Sequence, residues 1–361
     1  MSNGECPMNE TKTPPLDAAK AARYSKGHST RSWQQWLWPV AALGLLLLVN
    51  LVIDPAFFSL QWQDGRLYGP LIDIVNRAAP VGLLALGMSL VIATGGIDLS
   101  VGAVMAICGA VCANLLLASG WSLPLVLLAA LATGLLCGAL NGVLVAYLGI
   151  QPIVATLLLM VAGRGVAQLL NQGQIVTFQN PDFAALGTGD WLGLPLPVWL
   201  VLLMLVVLQG LTRKTALGLF VEAVGCNSKA SRYMGLPDRQ IKLMVYLLAG
   251  ACAAVAGVVA TADIQGSDAN NAGLWLELDA ILAVVIGGAA LTGGRFSLPL
   301  SVLGAVIIQC LSTTIIVSGL PAKFNLLIKA LVILVVLLLQ SPLFRAQLRA
   351  LTGRFKAKGA L

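Results

Sequence analysis

Long apolar runs separated by short glycine- and proline-marked breaks fill most of the chain, and the pattern predicts about ten membrane-spanning helices. They fall near residues 36–53, 74–93, 100–118, 123–145, 153–170, 195–212, 243–262, 275–290, 298–317 and 324–340. Runs such as Val40 to Ile53, Leu123 to Val145 and Leu326 to Leu339 have the uniform hydrophobicity that a hydrocarbon core demands. One long polar and basic interval interrupts them, Arg213 to Lys242. Within it the residues predict a short helix. Asn227 is an N-cap, Ser228 to Met234 makes about two turns, Gly235 suits the left-handed C′ position and Pro237 bars continuation. Ala230, Tyr233 and Met234 share one face of it, while Lys229 and Arg232 point elsewhere. A helix that short does not hold itself in water. It lies either on its own bundle or on a soluble partner.

Composition sharpens this picture. The chain is 58% hydrophobic and 10% charged, which excludes a soluble domain. Residues 1–35 are polar, carry Pro14 and Pro15 and lack an apolar core followed by a cleavage site. They are expected to be a disordered cytoplasmic tail rather than a removable signal. Residues 36–340 then form one transmembrane domain with a polar loop at 213–242, and 341–361 a basic cytoplasmic tail. With the N-terminus inside, 17 of the 22 basic residues fall on inner segments, while Asp54, Asp64, Asp73, Asp182, Asp190, Asp263, Asp268, Glu277 and Asp279 fall on outer ones, against Arg66 and Lys323. An even number of spans puts both termini in the cytoplasm. Trp36, Trp38, Trp62, Trp121, Trp191 and Trp275 sit near predicted span ends, as an aromatic belt requires. The net charge of +7 is therefore a topology signal, and nothing calls for nucleic acid.

Chemistry of the enzymatic kind is absent from the pattern. The chain has no Gly-Lys pair and so no phosphate loop of the GxxxxGK[ST] type. Its one histidine, His28, lies in the tail, and no Ser/His/Asp set or paired carboxylates fall within a span. The seven cysteines form no CxxC pair and read as small core residues, so neither metal nor cofactor is expected. Polar groups at membrane depth are the remaining candidates, because they are costly there. Arg164 lies about 11 residues into its helix, roughly 16 Å down in a core about 30 Å thick. It either snorkels to an interface or faces the bundle. Asp98 opens a helix after two glycines, as an N-cap or dipole partner or as a path residue. Asn141 hydrogen-bonds across helices or lines the path. Lys329 is placed to snorkel outward. The amide-rich interval Asp263 to Gly273, with Asp268, Asn270 and Asn271, is either a solvated turn or the outer mouth of a polar-solute pathway. The longer loop Asn171 to Leu194 has no sharper assignment than the outer surface. Thr94-Gly-Gly and Thr292-Gly-Gly, each ending one span before another begins, read as traces of a decayed internal duplication.

Three stretches carry a resemblance: GMSLVIATGGIDLSVGAVMAI (87–107), LGLFVEAVGCNSKASRYMGL (217–236) and LDAILAVVIGGAALTGG (278–294). They resemble the permease subunits of bacterial ATP-binding-cassette sugar importers of the ribose, galactose and xylose group, over nearly all of residues 60–340. DGRLYGPLIDIVNRAAP (64–80), MVAGRGVAQLL (160–170) and SDANNAGLWLELDA (267–280) are similar to the galactofuranose branch. The resemblance implies a bacterial inner-membrane location, two permeases forming the path, ATPase subunits beneath them and a periplasmic sugar-binding protein outside. It places the family's coupling segment on Glu222 to Gly235, where Gly225, Asn227, Ala230 and Gly235 match the pattern, beside the Lys229, Arg232, Tyr233 and Met234 of the short helix. It assigns no sugar contact. Rival readings are an ion-coupled secondary transporter with a midplane site, disfavoured by the few intramembrane carboxylates, a non-transporting scaffold, and a permease for branched-chain amino acids within the same class.

Overall fold

The computed structural model describes residues 18–340 apart from 64, 119, 320, 322 and 323. Residues 1–17 and the basic stretch 341–361, read above as tails, lie outside the described residues, as do Asp64 and the side chain of His28. Helix α1 (Ala18–Ile53) begins well before Trp36, so residues 18–35, expected to be part of the disordered tail, continue the first span as helix. A one-turn 3₁₀ helix (Pro55–Phe58) and a hairpin of β1 (Gln61–Gln63) and β2 (Arg66–Tyr68) lead to α2 (Pro70–Ala93). Then come α3 (Val101–Leu117), α4 (Leu123–Ala146) and α5 (Pro152–Leu170). The loop that follows is structured: β3 (Ile175–Thr177), α6 (Pro181–Thr188), β4 (Asp190–Trp191) and β5 (Leu194–Pro195). After α7 (Leu196–Lys214) the polar interval folds as α8 (Leu217–Cys226) and α9 (Ser228–Tyr233). The chain closes with α10 (Asp238–Asp263), β6 (Gly266–Asp268), α11 (Leu276–Ile286), α12 (Leu298–Val317) and α13 (Phe324–Gln340).

Helices occupy all ten predicted intervals, and seven of them, α1, α2, α4, α5, α7, α10 and α12, are long and apolar enough to cross a bilayer. The chain is a mostly helical, multi-pass membrane protein. Helix α3 is shorter at 17 residues and α11 has only 11, because each abuts a glycine-rich turn that breaks the ladder. The starts of α2, α5 and α10 lie earlier than the hydrophobic pattern alone suggests, while those of α4 and α12 fall where it put them. Proline in the first turn, where no backbone donor is needed, sets the beginnings of α2, α4, α5 and α12. Helix α10 starts at Asp238, five residues before its apolar run, because a carboxylate suits a helix N-terminus.

Helices α2 and α10 form the centre. Leu83, Leu84, Met88 and Ile92 of α2 are fully enclosed, packed with Ala253, Ala256 and Val259 of α10 and Ala283 and Ile286 of α11. Peripheral helices keep Leu128, Leu136, Val161 and Leu169 turned outward, as lipid-facing surfaces require. Helices α4 and α10 approach backbone to backbone. A methyl group on Gly134 would strike the Gly250 carbonyl, one on Gly138 the Tyr246 carbonyl, and one on Gly142 would lie 3.0 Å from the Leu243 Cα. Polar pairs add register between helices. The Asn50 Nδ2 of α1 donates to the Thr314 Oγ1 of α12 at 2.7 Å. Lys329 does not snorkel: its Nζ meets the Asp279 Oδ2 of α11 at 2.7 Å, with both side chains largely enclosed.

Candidate functional site

Two ends of the bundle carry its polar chemistry. At one end, the links 94–100, 147–151, 215–237 and 287–297 converge, and α9 stands among them. Its Asn227 side chain accepts the Ala230 N–H at 3.0 Å. At its far side Gly235 takes φ 83, and the Leu236 N–H donates back to the Ser231 carbonyl at 3.0 Å. The cap, the stop and the φ > 0 glycine are those the residues called for. Ser231 is buried, Lys229, Ala230 and Arg232 are exposed, and Tyr233 and Met234 project with 90% and 83% of their surface free. An ion pair missed in the sequence braces this tip: the Arg232 guanidinium grips Asp238 through Nε at 3.1 Å and Nη2 at 2.7 Å. A bidentate fork of this kind fixes direction as well as distance. The signal for it was Asp238 itself, an acid just past Pro237 at the head of an apolar helix.

Helix α8 roots this tip in the core. Leu217, Val221 and Val224 are buried against Leu90 and Val91 of α2, Leu208 of α7 and Ile241 and Val245 of α10, while Glu222 faces outward. Near its end, Gly225 touches both Thr-Gly-Gly turns. A Cβ there would overlap the Ala93 carbonyl and lie 2.6 Å from the Gly294 nitrogen. The Gly294 N–H donates to the Ala93 carbonyl at 2.9 Å, so the turns after α2 and α11 are joined directly and α8 wedges against the joint. Beside it, Asp98 and Asn141 belong to one enclosed cluster. The Asp98 Oδ1 accepts from the Ser100 N–H at 2.9 Å and the Ser100 Oγ at 2.6 Å, and Asn141 Nδ2 donates to Ser100 Oγ at 2.8 Å. Asp98 is 3% exposed and no cation within the described residues pairs with it. It makes an Asx turn two residues ahead of Ser100 and leaves to Ser100 the cap position of α3. This cluster lies at the α9 end and makes no hydrogen bond to the other candidate path residues.

At the opposite end, the loop between α10 and α11 pairs with the loop after α5. Ile175, Val176 and Thr177 register against Asp268, Ser267 and Gly266. The Asn171 Nδ2 donates to the Ser267 carbonyl and Oγ, both at 3.0 Å. Arg164 faces the bundle, and its Nη1 donates to the carbonyls of Ala269 at 3.1 Å and Ala272 at 2.5 Å. Asp268 turns back on its own loop. The Asn271 side chain, helped by the Asn271 and Asn270 N–H groups, holds its carboxyl below the usual carboxylate range. Asn270 receives the Gln168 amide at 2.8 Å. The loop is therefore a braced wall rather than a loose turn. Beneath it lies a cavity of about 450 Å³ that Asp268 and Asn271 line, together with Asn76, Arg77, Asp263 and Gln309. Those last residues, apart from Asp263, were not singled out in the sequence, because single polar residues inside long apolar helices carry no spacing signal. Arg164→Ala removes two charge-assisted bonds, each contributing about 1.5–3 kcal/mol. Amide hydrogen exchange across 266–273 should then accelerate more than tenfold; unchanged exchange would mean that Arg164 does not hold the loop.

A bundle of this kind, spanning a bilayer with a polar cavity at one end and a capped, projecting helix at the other, has the build of a membrane permease. The chain belongs to the family described as branched-chain amino acid transport system / permease component, which it matches over residues 71–337. Its relatives narrow the class. It is 57% identical over 333 residues to the galactofuranose transporter permease protein YtfT of Escherichia coli (strain K12), a match covering 91% of this chain and 97% of the relative. The fructose import permease protein FruF of Bifidobacterium longum (strain NCC 2705) is 40% identical over 335 residues, covering 90% and 91%. The ribose import permease protein RbsC of Escherichia coli (strain K12) is 34% identical over 316 residues, covering 86% and 95%. No solved structure matches the chain.

Proposed function

We propose that this chain is the transmembrane permease subunit of an ATP-driven monosaccharide importer, with galactofuranose the sugar that its similarity favours. One observation carries the reading: a six-residue helix, capped at both ends and braced by Arg232–Asp238, offers Tyr233 and Met234 at one end of a bundle whose opposite end holds a polar cavity. Two large apolar side chains that exposed suit a groove on another protein. With no phosphate loop of its own, the chain takes its energy from a separate ATPase subunit that seats this tip. In this reading the α9 end faces the cytoplasm, ten helices cross the inner membrane and both termini lie inside, in keeping with the basic bias of the inner segments. A second permease, alike or related, completes the path, and a periplasmic sugar-binding protein delivers substrate to the cavity end. Closure of the ATPase pair moves α9, α8 carries the displacement to the joined Thr-Gly-Gly turns, and the helices they terminate rock. Those paired turns fit an ancient duplication of a helix–turn–helix unit. The nearly full-length likeness to sugar permeases supports a sugar over a branched-chain amino acid.

The test is assembly and uptake. Tyr233→Ala with Met234→Ala should leave thermal unfolding of the permease within about 0.5 kcal/mol, as for exposed sites, and should lower ATP-dependent uptake at least tenfold by weakening the ATPase contact. Gly235→Val should act in the same direction, since a β-branched residue at φ 83 costs on the order of 1–3 kcal/mol locally. Uptake that persists without a working ATPase would overturn the reading in favour of a gradient-driven carrier.

A further inference from the structure

The cavity beneath the braced loop is built from side chains that the fold itself leaves unused. Asn76 of α2 has its amide Oδ1 enclosed with no hydrogen-bond partner. Arg77, one residue on, Asp263 at the end of α10 and Gln309 of α12 line the same space. None of these three side chains makes a hydrogen bond or ion pair among the described residues, although Arg77 lies near enough to Asp263 for their charges to interact. Leaving the enclosed Asn76 Oδ1 without a partner is costly, while Gln309 is half-buried and Arg77 and Asp263 are exposed and open to an occupant. These four residues from three helices line one space of about 450 Å³ and describe a site for a small molecule, a volume within the roughly 300–1,000 Å³ usual for such sites.

The donor set points to the chemistry of the occupant. Two amides each present a donor pair and an acceptor, the guanidinium adds donors and the carboxylate adds acceptors. Asp268 also lines the space, but its carboxylate is taken up by Asn270 and Asn271 of its own loop and lies within the field of Arg164. The charges left open, Arg77 and Asp263, are one of each sign, so they favour neither an anion nor a cation. Met105 and Pro80 supply an apolar floor between them. A neutral ring with hydroxyls on its edge and C–H groups on its face satisfies all of these at once. From this we infer that the cavity is a transit chamber for a monosaccharide, in which Asn76, Arg77, Asp263 and Gln309 take its hydroxyls as it leaves the outer loops and before it passes between the helices. The inference rests on the importer reading above and adds to it the residues that meet the sugar. Its contacts are few and shared among three helices, so binding is firm enough to admit the sugar and weak enough to release it, the condition that passage imposes.

The experiment uses the assembled importer, with its ATPase, binding protein and second permease, in proteoliposomes and with radiolabelled D-galactose as probe. Asp263→Asn combined with Gln309→Leu should lower initial uptake about tenfold, the loss of one good hydrogen bond in the transit complex, with assembly followed by size-exclusion chromatography. Gln309→Cys supplies a readout that does not depend on transport. A membrane-impermeant methanethiosulfonate reagent should label it above the parent protein, and saturating D-galactose should slow that labelling. Parental uptake by the double variant overturns the chamber, and so does labelling that D-galactose leaves unchanged or that only L-leucine slows. Absence of labelling above the parent overturns it as well, since position 309 would then be closed to solutes. A parent importer that takes up no sugar would instead overturn the importer reading on which the chamber rests.

Discussion

Gly225→Ala is expected to break the link between ATP hydrolysis and sugar movement. The added methyl would overlap the Ala93 carbonyl and crowd the Gly294 nitrogen, and both are backbone atoms that no rotamer change can clear. Helix α8 must back away from α2 or the Ala93–Gly294 bond must open, at a cost of about 1–3 kcal/mol. Either way the joined turns no longer follow α9. Sugar transported per ATP hydrolysed should fall at least tenfold in proteoliposomes, with a lowered unfolding temperature for the permease. A Gly225→Ala protein with parental stoichiometry and parental melting would show that α8 does not transmit displacement through this contact.

The second large effect belongs to Lys329 and Asp279. Their 2.7 Å pair joins α13 to α11, with the side chains only 14% and 13% exposed. Lys329→Met alone strands a carboxylate in a mostly enclosed site, and breaking such a pair costs about 3–5 kcal/mol. Removing both charges, Lys329→Met with Asp279→Leu, should return most of that loss, because a buried pair adds little over well-packed apolar groups. Unfolding in bilayer nanodiscs measures both. Equal stability of the single variant and the parent would mean that the pair is solvated, and no recovery in the double variant would mean that the two residues act separately.

The helical intervals were legible because a bilayer imposes length and apolarity on its spans, a strong local signal that seven of the helices carry in full. The α9 module was legible for a different reason. Asn227, Gly235 and Pro237 act through backbone geometry within a few residues, so their spacing alone predicts the turn. Contacts between distant segments were hidden. Nothing near Arg164 announces that its guanidinium will hold the carbonyls of Ala269 and Ala272, and nothing near Lys329 announces Asp279. The loop after α5 gave no clue to α6, although Asn180 caps it by accepting the Phe183 N–H at 3.0 Å and Phe183 packs edge-on to Phe178. The six candidate path residues were chosen one by one for their cost at depth. The fold separates them into the Asp98–Asn141 cluster at one end and the Arg164-braced loop with Asp268, Asn270 and Asn271 at the other. It brings to the cavity Asn76 and Arg77, which lie in the stretch 64–80 but were not singled out within it, and Gln309, which no motif marks.

The seam between α4 and α10 has a consequence for how this protein can change over time. Along Gly134, Gly138 and Gly142 the two backbones already occupy the space a single methyl would need. Any mutation on that line acts as a wedge driven between two beams. Variation is therefore expected to spread freely over the lipid-facing leucines and to stop at this narrow track, leaving α4 and α10 to travel as one rigid plank while the rest of the barrel of helices drifts around it.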